Sequence, residues 1–395
     1  MEKVRFGIIG IGNMGASHAK KIFAGECPDF ELTAVADTNP ERLDWAKETF
    51  GDAVKGFSTA EEMLDSGCVN ACIVAVPHYD HVKYAIECMK RSIHVLVEKP
   101  AGVYTKQVRE MNAEADKHPE VVFAMMFNQR TNHGYRKLKE LIDSGVYGQI
   151  RRVNWIITDW YRPQAYYDSG AWRATWSGEG GGVLLNQCPH QLDLLQWLCG
   201  MPVKVQAHLH YGKWHDIEVE DDVTAYMEFA NGATGVFVTS TGDACGTNRL
   251  EIQMDRAKIV ALKGSLEVVE YEVTEQEFSA TNTAQFAKMA MQVVVPETDG
   301  QNPHHMGVVR PWGAAILRGE PMIADGREGI NGLMLSNAMH LSDWLGKAVE
   351  LPLDEDLYYE ELMKRVKTSR RKTNEVKAVV ADMDSTYGSK IVEQK

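Results

Sequence analysis

Residues 4–22 read VRFGIIGIGNMGASHAKKI. The apolar run VRFGII leads into Gly10, Gly12 and Gly15 at the spacing G-x-G-x-x-G, and ASHAKKI follows with residues suited to a helix. Strand, glycine turn and helix in that order open a βαβ unit. The first glycine permits the tight turn, the second lets a pyrophosphate approach the backbone, and the third lets helix and strand pack closely. The helix N-terminus presents unpaired N–H groups and a favourable partial charge to phosphates. Asn13 and Met14, between the glycines, are expected beside the same ligand. Asp37, twenty-two residues past Gly15 at the end of FELTAVAD, stands where a carboxylate accepts from the adenosine ribose hydroxyls. That carboxylate would repel a 2′-phosphate, and no arginine follows it directly in TNPERL, so NAD is favoured over NADP, with Arg42 keeping NADP open.

Residues 1–128 alternate apolar runs, VRFGIIG, FELTAVAD, ACIVAVP, HVLVEKP and VVFAMMF, with amphipathic stretches such as HYDHVKYAIECMKR. Runs that are apolar throughout imply strands buried on both faces, and strand–helix alternation implies a doubly wound parallel sheet. The character changes over 129–355. RRVNWIITDW, VKVQAHLHY, TAYMEFA and ATGVFVTST alternate with period two, the last two joined at Asn231-Gly232, which predicts a type I′ hairpin. The expectation is a second, α+β domain with a large, mostly antiparallel sheet and helices at HQLDLLQWLCG and GINGLMLSNAMHLSDWLGKA. Residues 356–395 form a polar extension whose basic run KRVKTSRRK is expected to be a solvated helix face.

A formal charge of −13 over 395 residues opposes nucleic acid and anionic membranes, so neither is expected as a partner. The chain enters a strand directly from MEKVRF, with no export signal and no apolar run of spanning length, which predicts a cytoplasmic protein. Seven scattered cysteines are expected to be reduced and packed, and no full ligand set appears at zinc spacing, so no metal is expected. The apolar face predicted for the second sheet suggests a homodimer or homotetramer.

Two segments carry the chemistry. Lys99, in VLVEKP, falls at the carboxyl end of a predicted parallel strand, the edge where open α/β sheets bind ligands. In GEGGGVLLNQCPHQLDLLQW, glycines lead to Asn186 and then to His190 at the start of an amphipathic helix. Imidazole is the side chain most readily poised to take a hydroxyl proton near neutrality, as dehydrogenation of an alcohol requires. A solvated lysine and a histidine satisfied by backbone are the ordinary alternatives. Between these segments, DWYRPQAYYDSGAWRATW is rich in aromatics and in planar donors matched to vicinal hydroxyls, with Arg162, Tyr166, Trp172 and Arg173 the candidates for holding a pyranose. Tyr161 and Trp176 are candidates too, although Trp176 above all is expected to pack at the domain interface instead. His304 and His305, in NPHHMGVVRPW, lie on a loop that could close over the ring.

The ordered set GIIGIGNMG, Asp37, VPHYDHV, VEKP, FNQR and GGGVLLNQCPHQLDL resembles the glucose-fructose oxidoreductase and inositol dehydrogenase family, Gfo/Idh/MocA, up to about residue 350. The resemblance implies an N-terminal Rossmann domain, a mostly antiparallel second domain, and NAD(P)-dependent oxidation or reduction of sugars and polyols. It implies that Lys99 and His190 are catalytic, that Pro77, His81, Glu98 and Asn128 contact the cofactor along with Lys99, and that Arg130 of FNQR belongs to the substrate site. Many relatives carry aspartate where this chain has Asn186, which orients a hydroxyl but exchanges no proton. Segment 169–193, SGAWRATWSGEGGGVLLNQCPHQLD, looks most similar to members acting on glucose-type rings and glycosides, including those that oxidise levoglucosan or carbon 3 of a glycoside. Open alternatives are a cyclic polyol dehydrogenase, a redox-neutral sugar-modifying enzyme with retained NAD, and a nucleotide-binding regulatory protein.

Overall fold

The computed structural model describes residues 3–262 and 265–370. The extension beyond 370, including the end of the basic run, lies outside the described residues. A first sheet contains β1 (Val4–Ile9), β2 (Phe30–Ala36), β3 (Lys55–Phe57), β4 (Ala71–Val74), β5 (His94–Val97) and β6 (Phe123–Met125), ordered β3-β2-β1-β4-β5-β6 with every pair parallel. Chain direction along the sheet reverses between β1 and β4, so the crevice for a ligand opens beyond the carboxyl ends of those strands. The expected five strands form. The sixth, β3, is the three residues Lys-Gly-Phe at the edge, with no apolar run to announce it.

A second sheet contains β7 (Ile150–Ile157), β8 (Lys204–Tyr211), β9 (Glu220–Glu228), β10 (Thr234–Ser240), β11 (Asn248–Met254), β12 (Ala257–Leu262), β13 (Ser265–Tyr271), β14 (Met291–Val294) and β15 (Val349–Glu350). Its order is β14-β13-β12-β11-β7-β10-β9-β8-β15, antiparallel except for the parallel pair β7·β10. Alternation along β9 buries Val223, Ala225 and Met227 and leaves Thr224 and Tyr226 exposed, the period-two pattern of a sheet covered on one face. The β9–β10 hairpin departs from the type I′ expectation. Only Gly232 has positive φ, 82°, and its N–H donates to the Phe229 carbonyl at 2.9 Å while the Phe229 N–H donates to Ala233 at 2.9 Å. This is a three-residue connection with glycine in the left-handed position.

Helix α1 (Asn13–Phe23) follows the glycine loop, α2 (Pro189–Cys199) carries His190, α3 is Met306–Arg318, α4 is Gly329–Leu345 and α5 is Glu355–Thr368. Helix α3 lies far along the chain yet covers the first sheet. Trp312 stacks on Phe30 at 5.4 Å and donates its indole N–H to the Val122 carbonyl, joining a core with Phe6, Ile8 and Val35. Helix α4 packs on α2 and β8. Its buried Asn337 accepts from Thr105 N at 3.0 Å and donates to Val103 O at 3.1 Å, tying the second sheet's helical layer to the segment after β5. These contacts fix the carboxyl edge of the first sheet against α2. No helix among the described residues is long and apolar enough to cross a membrane.

Candidate active site

The glycine loop has the shape its spacing predicts. Gly10 sits at φ 87°, and a Cβ on Gly15 would fall 1.9 Å from the Gly10 carbonyl oxygen, so only glycine closes this turn. Gly12 caps α1 without any side-chain bond, and the first helical turn carries no acidic residue. The helix N-terminus is therefore open to an anion, and the residues present fit a dinucleotide pyrophosphate. Asp37 accepts from Ile11 N at 2.9 Å and Asn39 N at 2.9 Å, which holds its carboxylate against the loop. Arg42 donates to the same carboxylate at 3.2 Å and lies over Gly12. The arginine that kept NADP open thus spends at least one donor on Asp37.

Strand β5 delivers Glu98 and Lys99 to the same edge. Buried Glu98 accepts a hydrogen bond from the His18 ring at 2.7 Å, one helical turn beyond Gly15, and from Lys99 N at 3.2 Å. Burial pushes its carboxyl upward, but His18 and the neighbouring charges outweigh that and bring it down to about 2. Lys99 reaches away from its own sheet and donates from Nζ to the Asn186 carbonyl at 3.0 Å. Burial lowers its pKa, Glu98 opposes this, and the guanidiniums of Arg162 and Arg173 add to the lowering.

Asn186 is presented by the glycine tract. Gly180 has φ 84°, and a Cβ on Gly182 would lie 1.9 Å from the Glu220 carbonyl oxygen. The buried Glu220 carboxylate accepts from Gly182 N at 2.9 Å and Leu184 N at 3.0 Å, fixing the turn from beneath, and its other oxygen lies 2.9 Å from the His340 ring. The Asn186 amide donates to Glu179 and accepts from the Tyr166 hydroxyl at 3.3 Å. Glu179 is 2% exposed, and burial raises its pKa. His190, 4% exposed on the first turn of α2, has no partner at Nδ1 among the described residues. Burial, then the ammonium of Lys99, holds its pKa well below the ordinary imidazole value, so the ring is neutral and proton-accepting near pH 7.

Around this centre, Tyr166 also accepts from Arg173 Nη1 at 2.9 Å and Gln187 Nε2 at 3.3 Å. The guanidiniums of Arg162 and Arg173 lie 5.2 and 4.6 Å from its ring centroid. Trp172 contacts Arg173 on one side and His78 edge-on at 5.6 Å on the other. His305 faces His18 edge-on at 5.3 Å and meets the Asn128 amide at 3.4 Å, and burial brings its pKa down to about 3. Asn128 is 1% exposed and its Oδ1 has no partner among the described residues, so an acceptor is left for a bound group. Pro77 lies exposed just beyond β4, at the same edge.

Two expectations need correction. Arg130 does not face a substrate: its guanidinium is bidentate to Asp193 at 2.6 and 2.8 Å and bonded to Glu328 at 2.8 Å, with its side chain 1% exposed. An arginine that satisfies two carboxylates from α2 and the approach to α4 is a tie between elements. The His81 ring lies between the carbonyls of Val76, at 2.8 Å, and Pro100, at 2.6 Å, so it clamps the ends of two strands and has no nitrogen left for a cofactor. Trp176 packs as expected, against Trp344 and His340, and Tyr161, the other aromatic candidate, is 43% exposed. The sequence reading missed His18, Glu179 and Glu220. Only His18 had a local signal, its position three residues after Gly15.

Comparison with known proteins identifies the two domains. A family model for an oxidoreductase family with an NAD-binding Rossmann fold matches residues 4–126, and one for a GFO/IDH/MocA C-terminal domain matches residues 135–260. Myo-inositol 2-dehydrogenase of Thermotoga maritima is 27% identical over 65% of this chain and 75% of its own. Levoglucosan dehydrogenase of Pseudarthrobacter phenanthrenivorans is 26% identical over 63% and 70%. Among solved structures, the WlbA dehydrogenase of Bordetella pertussis, in complex with NADH and UDP-GlcNAcA, superimposes with a TM-score of 0.74 at 27% identity, covering 89% of this chain and 100% of that one.

Proposed function

This chain belongs to the Gfo/Idh/MocA family of NAD-binding oxidoreductases, and from that premise we propose that it oxidises a secondary hydroxyl of a sugar or glycoside, carbon 3 of a glucoside being the position we favour. Bound NAD supplies the hydride acceptor. His190 takes the hydroxyl proton as the C–H electron pair leaves the carbon, so the alcohol becomes a ketone and the imidazole an imidazolium. Lys99 places its ammonium against the oxygen as negative charge builds there, and Asn186, held by Glu179 and Tyr166, orients the hydroxyl. The gap left by asparagine at 186 concentrates proton transfer on His190. Residues 1–128 carry the dinucleotide in this reading and 129–355 the sugar, with Tyr166, Trp172, Arg162, Arg173 and His305 around the ring.

The observation that carries the reading is the Lys99 bond to the Asn186 carbonyl, which brings the β5 edge to the turn preceding an imidazole with an unpartnered, buried Nδ1. Incubation with NAD and a panel of glucosides, aldoses and inositols is expected to produce NADH absorbance with at least one glucoside. A response to inositols alone would shift the assignment to a cyclic polyol, and silence across the panel in both directions would remove it. We also propose a homo-oligomer formed through the outer face of the second sheet, where Ile156 and Tyr226 are 40% and 42% exposed.

A further inference from the structure

Arg130 and Arg173 show two different uses of the same side chain. Arg130 is buried, with three of its five N–H donors on two carboxylates. Arg173 is half-buried, and one of its five N–H donors is used, on the uncharged Tyr166 hydroxyl. No carboxylate lies within ion-pair distance of it among the described residues, the buried Glu179 carboxyl acting on it only at longer range, and the faces of Tyr166 and Trp172 are each 4.6 Å away.

A continuous chain of hydrogen bonds places this guanidinium beside the reaction centre. Lys99 Nζ donates to the Asn186 carbonyl, the Asn186 amide oxygen accepts from Tyr166, and the Tyr166 hydroxyl accepts from Arg173. The backbone after Arg173 is held in an unusual state. Ala174 has φ 55°, and its N–H donates to the buried carboxyl of Glu179, the same group that takes the Asn186 amide. A non-glycine residue in the left-handed region is disfavoured and persists only where its surroundings hold it there. One buried carboxyl therefore fixes both the turn carrying Asn186 and the turn carrying Arg173. Arg162, against the other ring contact of Tyr166, adds positive charge to the same region, as does Lys99.

Glu98 and Glu179 offset part of this charge, Glu179 less so because burial raises its pKa, and positive groups gathered at a partly desolvated site favour an anion among them. Lys99 is committed to the reacting oxygen in the proposed mechanism, whereas the planar fork of Arg173 matches a carboxylate or phosphate. We propose that the substrate is an anionic sugar, bearing a carboxylate or phosphate on the ring's periphery, and that Arg173 is the residue that selects it. This inference rests on the reading of the site as a sugar dehydrogenase centre.

The test compares methyl glucoside, methyl glucuronide and methyl glucoside 6-phosphate, using the full chain loaded with NADH for calorimetric binding and with NAD for turnover. At least one anionic sugar is expected to bind about ten- to a hundredfold more tightly than the neutral one, the range one or two charge-assisted hydrogen bonds supply. The better of the two identifies the oxyanion, and its advantage shrinks as salt is raised. Arg173→Gln collapses the preference toward unity and Arg173→Lys restores part of it; should either variant fold poorly by circular dichroism, the wild-type preference and its salt dependence decide. Equal binding of neutral and anionic sugars, or an Arg173→Gln loss shared equally by all three, overturns the assignment while NADH production from the neutral sugar leaves the dehydrogenase reading standing. An Arg173-dependent preference without any NADH production upholds the anion site and removes the dehydrogenase reading.

Discussion

Replacing Arg130 with methionine separates a structural tie from a substrate contact. The guanidinium makes three charge-assisted bonds, two to Asp193 and one to Glu328, and both the Arg130 and Asp193 side chains are 1% exposed. Glu328 is 38% exposed and rehydrates when released, so its loss costs little. Among the described residues Asp193 then keeps only the Gln196 amide, at 3.0 Å, and becomes a buried carboxylate without a counter-charge. Breaking one side of such a pair costs about 3–5 kcal/mol. Burial already raises the Asp193 pKa, and removing Arg130 raises it further. A carboxyl whose folded pKa lies above its unfolded value binds more protons when folded, so the deficit grows as pH rises through the folded pKa and is smaller near about pH 5 than at neutrality. Urea unfolding of wild type, Arg130→Met, and Arg130→Met with Asp193→Leu measures this, the double variant recovering most of the loss because no charge remains buried. A cost below about 1 kcal/mol, or a stable Arg130→Met protein whose sugar KM rises while kcat holds, would refute the reasoning and return Arg130 to the substrate site.

Two further outcomes follow from the same geometry. Gly182→Ala drives a Cβ to 1.9 Å from the Glu220 carbonyl oxygen and must displace the turn that presents Asn186; kcat/KM is expected to fall on the order of a hundredfold, the scale of a 1 Å misplacement, with NADH affinity by fluorescence titration unchanged. His305, held down to about 3 by burial, takes a proton more readily unfolded than folded, so it contributes stability above the unfolded imidazole pKa that is lost as pH falls toward the folded value. His305→Gln should remove up to about 2 kcal/mol of the stability decline between neutrality and about pH 5, measured by denaturation at each pH; an identical decline in both proteins would count against the burial argument.

Much of the first sheet was legible because its strands are continuous apolar runs, and the glycine loop because its turn has one workable residue type at Gly10 and Gly15. Strand β3 was not, since Lys-Gly-Phe at a sheet edge has neither run nor period. The packing of α3 on β1 and β2 was equally hidden: local pattern specifies an apolar stripe around Trp312, and the partner of that stripe lies some 280 residues earlier. In the site, Lys99, Asn186 and His190 stood out through their places at a strand end, a glycine tract and a helix start. Glu179 and Glu220 looked like ordinary acids in sequence; what distinguishes them is burial and the backbone N–H groups each accepts, which are long-range facts. Arg130 misled because an arginine near a binding edge reads the same whether a substrate or Asp193 satisfies it.

The central claim is that Lys99 and His190 act on one oxygen, and a double-mutant cycle on turnover tests it. With NAD and the best sugar at saturation, Lys99→Met and His190→Ala should each lower kcat by roughly 10²–10⁴-fold. The double variant should fall little below the worse single one, because groups that work as a unit are not additive. Folded single variants within about threefold of wild type, or losses that multiply in full, would contradict the account.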